Sequence, residues 1–323
     1  MVDSQQLPLF SLEPQAVDDL DKRTPLVQTL PFFEQYLRQE GKSEHTIKAF
    51  LADIVLLGEH GGMETALQAF QTPALNAFLN WMEHERGVPC SRKTYARRVT
   101  SLKVFFKWLR SINVLGHDPA KSVVQRNQEA PLSYALTTLE IQEAIRFSQT
   151  MRRKDETDTR PQVLLKLLLE TAIKKNEAMR LVVSDIHREA EEPYLHIYQT
   201  AQNVYKERKI PISQEWLARF EQYKLQYRIT EKVFTCTARN LEYILSDIGE
   251  GAGLPTRLSF EVLRWTSAVQ DTRQGLDAET IREKLGLSRI SWVETGRKVD
   301  QLLQAQLEAE RRYASPHTTQ QPF

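Results

Sequence analysis

The chain has 323 residues, 41% apolar and 26% charged, with a net charge of +1, which leaves room for two domains with cores of their own and no overall basicity to mark a nucleic-acid binder. No apolar run approaches the ~18 residues that span a bilayer, and Met1-Val2-Asp3-Ser4 begins neither a basic nor an apolar leader, so a cytoplasmic protein without membrane contact is expected. Cys90 and Cys236 lack metal-ligand spacing, the seven histidines are scattered, and there is no Gly-rich phosphate loop, so neither metal nor cofactor is expected.

The charge is unevenly placed. Residues 1–23 carry two basic and five acidic side chains, residues 24–125 twelve and nine, and residues 126–323 twenty-nine and twenty-eight. The first segment is polar, acidic and aperiodic and predicts a disordered tail. Inside it Gln6-Leu7-Pro8-Leu9-Phe10 is an apolar knot that resembles the Gln-Leu-x-Leu-Phe peptide by which bacterial DNA-processing proteins bind the sliding clamp. Gln6, Leu7, Leu9 and Phe10 are therefore candidate clamp contacts; the alternative is a tail that folds onto its own domain.

From residue 24 to residue 125 the apolar spacing is helical. Leu30, Phe33, Tyr36 and Leu37 mark a first helix, ended by Gly41. Ser43 caps a second that runs to Leu57, with Gly58, Gly61 and Gly62 as its breakers. A third covers Pro73–Glu85. Ser91 opens a fourth, to Ile112, that carries Arg92, Lys93, Arg97, Arg98, Lys103, Lys107 and Arg110 and no acidic residue through Arg110. Tyr95, Val99, Leu102, Phe106 and Leu109 form its core stripe, and Arg92, Lys93, Lys103, Lys107 and Arg110 fall beside it. A core stripe flanked by cations of one sign is an electrostatic footprint for phosphates, so these residues and Arg97 are candidate DNA contacts.

Residues 126–135 are polar around Pro131 and read as a linker. Beyond it a second domain is expected over 136–300. Thr137 and Glu140 suit a capped helix start, a leucine-rich helix covers Gln162–Ala172, and short strands fall at Tyr194–Tyr198 and Lys206–Ile212. Helices follow at Gln214–Tyr227, at Ala238–Gly249 and from Ser259. A polar helix, Val299–Tyr313, is expected to run into a C-terminal segment, 301–323.

Several stretches carry a resemblance. They are the Leu37–Ile47 turn, Phe105-Phe106-x-Trp108-Leu109, Thr171-Ala172-Ile173-Lys174-Lys175-Asn176-Glu177 with Ser184-Asp185-Ile186, and Lys206-Glu207-Arg208-x-x-Pro211. The last, Arg264 followed by Leu285-Gly286-x-Ser288, completes the pattern. Together they resemble the tyrosine recombinases and phage integrases. The resemblance implies a mainly α chain, with a four-helix SAM-like core-binding domain and an α-rich catalytic-type domain holding a small antiparallel sheet. It also implies that the two domains close around double-stranded DNA, and that the terminal helix often packs on a neighbouring protomer.

In that family two arginines bind the scissile phosphate, a hairpin lysine protonates the leaving oxygen, and histidines or a tryptophan assist a tyrosine nucleophile. Here the corresponding positions hold Lys174, Asn203, Glu261, Arg264, Leu287 and Gly296, so only the second arginine is kept. Lys174 keeps charge without the guanidinium fork, and Lys206 could stand in for Asn203. No tyrosine lies between Tyr243 and Tyr313, and Tyr313 is 49 residues past Arg264 where the family spacing is 32. The reading that follows is a recombinase-like DNA-binding protein, inactive in strand cleavage. It would hold phosphate with Lys174, Lys206, Arg208 and Arg264, as a homo-oligomer or beside an active recombinase. Two other readings stay open: an active enzyme using Tyr313, and an interaction module tethered to the clamp.

Overall fold

Side-chain caps set where most helices begin. Ser43 accepts from the Thr46 N–H to start α2 (Glu44–Gly61), and Ser91 accepts from Thr94 to start α4 (Arg92–Ser111), each satisfying a donor that a helix start leaves open. With α1 (Leu26–Gln39) and α3 (Thr72–Asn80) these helices build the first of two units, Met1–Ala130 and Pro131–Phe323. The computed structural model describes residues 14–124, 133–198 and 204–314. The clamp-like motif at Gln6, Leu7, Leu9 and Phe10 lies outside them.

Phe33, Leu37, Ile54, Phe78, Leu102, Phe105, Phe106 and Leu109 are buried together in this unit, each contributing about 1.5–3 kcal/mol of transfer free energy. Three sequence expectations are corrected here. Residues 14–23 belong to the fold, with a short turn at Val17–Asp19 and Leu20 buried in the core. Gly58 and Gly61 do not break α2. They sit inside it because Met63 and Phe70 press against them: a Cβ would lie 2.1 Å from the Met63 sulfur and 2.8 Å from Phe70 Cε1. The helix stops at Gly62, whose φ of +96° suits glycine. The third helix gives way to a π-helical turn at Trp81–Glu85.

The second unit is also mainly helical. The Thr137–Glu140 capping box opens α5 (Thr138–Ser148), and a two-residue hairpin, β1 (Arg152–Arg153) and β2 (Glu156–Thr157), leads to α6 (Thr159–Thr171). Val163, Leu164, Leu165, Leu167 and Leu168 are all buried, so α6 is wrapped by its neighbours. After α7 (Lys175–Arg180) come β3 (Ile186–His187), β4 (Tyr194–Ile197) and β5 (Arg208–Pro211), an antiparallel sheet in that order, with Leu195 opposite Ile186 and Ile210, and Ile197 opposite Arg208. Alternation along β5 turns Arg208 and Ile210 inward and Lys209 outward.

Then follow α8 (Gln214–Tyr227), α9 (Ala238–Gly251), α10 (Phe260–Arg273), α11 (Ala278–Lys284) and α12 (Arg289–Ala314). α12 runs unbroken through Gly296 where a separate helix from Val299 was expected. Glycine costs a helix about 1 kcal/mol, which burial of Val299 and Leu302 against Ala268, Val269, Ile281 and Leu285 offsets. Among the described residues no helix is long and apolar enough to cross a membrane, and no group of three or more His, Cys, Asp or Glu could hold a metal.

Candidate active site and cationic helix

The end of α11 gathers the cations of the second unit. Three consecutive carbonyls there each accept from a different basic side chain. Arg208 Nε donates to Lys284 at 2.8 Å, Arg264 Nη2 to Leu285 at 3.0 Å, and Lys174 Nζ to Gly286 at 3.4 Å. A helix C-terminus exposes unpaired carbonyls and a partial negative charge, which explains the convergence. Gly286 has φ +58°, and a Cβ on it would lie 2.9 Å from Arg208 Nη1, so the turn needs glycine twice over.

Each cation is anchored from another element too. Lys174 precedes α7, and its N–H donates to Glu177 at 2.7 Å. Glu177 in turn binds Arg208 at two points, 2.9 and 3.2 Å. Burial alone would raise the Glu177 carboxyl; the hydrogen bonds and charge of Arg208 and Lys174 outweigh it and hold the group below its ordinary value. Arg264, projecting from α10, also donates Nη1 to the Ala172 carbonyl. Burial pushes Arg264 down to about 10, against the pull of Glu177. Lys174 is lowered by burial, opposed by Glu177 and reinforced by Arg264, Arg208 and Lys206. Lys206 thus acts on the same pocket. Lys174, Arg208 and Arg264 all feel the Glu177 carboxylate, which Arg208 already engages at both oxygens, an arrangement that favours an arriving anion.

The remaining motif positions separate. Glu261, exposed on the first turn of α10, and half-buried Leu287 line a cavity of about 270 Å³ with Arg264, Trp265 and Thr295. Gly296 lines a different cavity, of about 360 Å³, beside Trp292 and Ile281. Trp292 Cε2 lies 3.1 Å from where a Gly296 Cβ would stand. On α12 it is therefore Thr295 that borders the Arg264 cavity, its hydroxyl donating to the Ser291 carbonyl at 2.9 Å. Sequence reasoning missed Thr295, since adjacent helical residues point 100° apart and the motif fixes only the position of residue 296. Asn203 lies outside the described residues. Tyr313 falls in the last turn of α12.

In the first unit α4 divides its basic residues between two tasks. Arg92, Lys93, Lys107 and Arg110 are exposed and Lys103 half-buried. Among the described residues no carboxylate pairs with Lys103, Lys107 or Arg110. Arg97 and Arg98 instead turn to buried Asp53 on α2, at 3.0 and 3.5 Å, where Ser101 also donates at 2.7 Å. Arg97 further donates to the Ala49 carbonyl at 3.0 Å. Burial raises the Asp53 carboxyl, and these partners offset it only in part.

Comparison with known proteins matches this arrangement. Residues 135–301 match the phage integrase family, and residues 31–112 match the phage integrase N-terminal SAM-like domain. The chain is 24% identical to the tyrosine recombinase XerD of Listeria innocua over 275 residues, covering 80% of this chain and 90% of that one. It is 24% identical to the tyrosine recombinase XerC of Lacticaseibacillus casei over 274 residues, with the same coverage. In fold it is similar to the XerH site-specific recombinase solved with its palindromic difH substrate in a post-cleavage complex. There the TM-score is 0.70 at 15% identity, covering 90% of this chain and 96% of that one. With a family match that spans more than half its length and includes every element of the cation pocket, the chain belongs to the phage integrase family of tyrosine recombinases.

Proposed function

We propose that this chain binds duplex DNA in site-specific recombination without cutting it, acting as an oligomer with itself or with an active recombinase. The observation that carries the reading is a pocket of three basic side chains with glycine where the resemblance places the nucleophile. Lys174, Arg208 and Arg264 converge on the end of α11, with the charge of Lys206 acting on Lys174, while Gly296 stands where the resemblance places the nucleophile, with Trp292 packed against it. Leu287 offers a phosphate no side-chain donor, and Glu261 brings negative charge to the cavity beside Arg264. The exposed cations of α4 supply a second, sequence-independent hold on the backbone. Lambda integrase, similar in fold at a TM-score of 0.63 and solved bound to DNA, supports DNA as the ligand class.

Two measurements test the proposal. Incubation with nicked suicide duplexes carrying recombination sites is expected to give no covalent protein–DNA adduct; an adduct that disappears in Tyr313→Phe would overturn the inactive reading. Duplex binding is expected at low salt, with affinity falling steeply as salt rises. Absence of binding at low salt would defeat the DNA-binding half.

A further inference from the structure

The cation pocket is built on a helix too short to place itself. α11 has only seven residues, and a helix of two turns is not stable alone, so contacts from elsewhere decide where its last carbonyls lie. Asp277 caps its start, accepting from the Glu279 and Thr280 N–H groups at 3.0 Å. Ile281 and Leu285 are buried in one cluster with Ala268 and Val269 of α10 and Val299 and Leu302 of α12. Apolar burial of this kind carries no direction. A charged pair supplies it. Lys284 Nζ donates to both carboxylate oxygens of Asp271 on α10, at 2.7 and 3.0 Å, with the two side chains 14% and 12% exposed.

Lys284 is thereby held twice: its side chain by Asp271, and its carbonyl by Arg208 Nε at 2.8 Å. Asp271 stands seven residues beyond Arg264 on α10, about two helical turns, so the two residues lie on one face. Arg264 Nη2 takes the next carbonyl, Leu285, at 3.0 Å. α10 thus grips the end of α11 at two points, and that grip sets the row of carbonyls that Arg208 and Lys174 also bind. Burial raises the Asp271 carboxyl and Lys284 offsets this only in part, so the pair adds little stability that apolar side chains would not. What it adds is a fixed spacing between α10 and the carbonyl row. We propose that Asp271 is a positioning residue for the cation pocket, acting through Lys284 to align Arg208, Arg264 and Lys174 for a DNA phosphate. This rests on the reading of the pocket as a phosphate site.

The sign of the effect on DNA separates this role from plain charge. Removing a carboxylate from a DNA-binding protein ordinarily tightens binding, because a repulsion from the phosphates is lost. Asp271→Asn in the full chain is instead expected to weaken duplex binding about fivefold or more and to lower the slope of log affinity against log salt by about 1. Lys284→Met should weaken binding similarly, and the double variant should be no weaker than either single one. The exchanged pair, Asp271→Lys with Lys284→Asp, is expected to recover most of the loss. Glu215→Gln opens the other buried pair, with Lys166, and should leave binding unchanged. A readout without DNA is the Arg208 Nε–H signal in nitrogen–proton NMR spectra, assigned with Arg208→Lys. Asp271→Asn is expected to shift it and to speed its exchange with water about tenfold. Unchanged or tighter DNA binding by Asp271→Asn would overturn the inference, as would an unmoved Arg208 signal. An equal loss in Glu215→Gln would overturn it too, since any missing carboxylate would then have the same effect. Failure of the unaltered chain to bind duplex DNA at low salt would defeat the DNA reading by itself, and the Arg208 signal would still decide whether Asp271 positions the pocket.

Discussion

Arg208 grips Glu177 through both carboxylate oxygens, Nη2–Oε2 at 2.9 Å and Nη1–Oε1 at 3.2 Å, with the two side chains only 5% and 14% exposed. Removing one partner of such a pair leaves a buried charge without compensation. Arg208→Ala is expected to cost about 3–5 kcal/mol of stability in urea unfolding. Lys206→Ala, whose side chain has no carboxylate partner among the described residues, should stay within about 0.5 kcal/mol.

The same pair sets a pH dependence. Glu177 titrates below its ordinary value in the folded chain, so its contribution is present above the usual carboxylate range and is lost as pH falls through the folded value. Unfolding followed from pH 7 downward is expected to show this loss. Glu177→Gln should be less stable at neutral pH and should show a shallower acid limb; an unchanged limb would mean that the pair does not couple to folding.

Gly286 is expected to tolerate no side chain. Gly286→Ala forces a φ of +58° on alanine and places its Cβ 2.9 Å from Arg208 Nη1. A loss of about 1–3 kcal/mol and weaker binding of duplex DNA should appear together. Gly41, with φ +68° and nothing within 4 Å of an added Cβ, should lose stability on Gly41→Ala without the effect on DNA.

On the proposed reading, a tyrosine placed at position 296 should not by itself give cleavage. In Gly296→Tyr the new side chain meets Trp292 at 3.1 Å from its Cβ, and Lys174, Glu261 and Leu287 are unchanged. The suicide-substrate assay is expected to stay negative for this variant. A covalent adduct from the single change would show that the remaining pocket suffices for chemistry.

The two sets of cations on α4 should separate in experiment. Replacing Lys103, Lys107 and Arg110 by alanine is expected to reduce the slope of log affinity against log salt by up to about 3 and to leave the melting temperature nearly unchanged. Arg98→Ala withdraws a partner from Asp53, which is 2% exposed. It should lower stability by about 1–3 kcal/mol with little effect on the salt slope. The opposite pattern would reassign both groups.

Local chemistry was legible in the sequence where the determinant was local. Ser43, Ser91, Thr137 and Ser259 each cap the helix they were expected to open. The register linking Lys174 to Glu177 puts both into one pocket. What escaped reading depends on residues distant in the chain. The glycines of α2 looked like breakers because Phe70 and Met63, which pack on them, carry no signal in the helix itself. Arg97 and Arg98 joined the cationic run until Asp53, more than forty residues earlier, claimed them. Neither the unbroken course of α12 through Gly296 nor the inward turn of Thr295 has a motif, because tertiary packing decides both.

The three carbonyls at the end of α11 have a consequence for how such sequences are judged. Arg264 ties Ala172 and Leu285 together from a third helix, and Arg208 and Lys174 fasten the residues on either side of Leu285. Remove every phosphate from the protein's surroundings and these side chains still hold α10, α11 and the start of α7 in place. An arginine of this kind holds the scaffold whether or not a reaction takes place beside it. Its presence in a sequence therefore speaks for the architecture, and the chemistry has to be read from other residues.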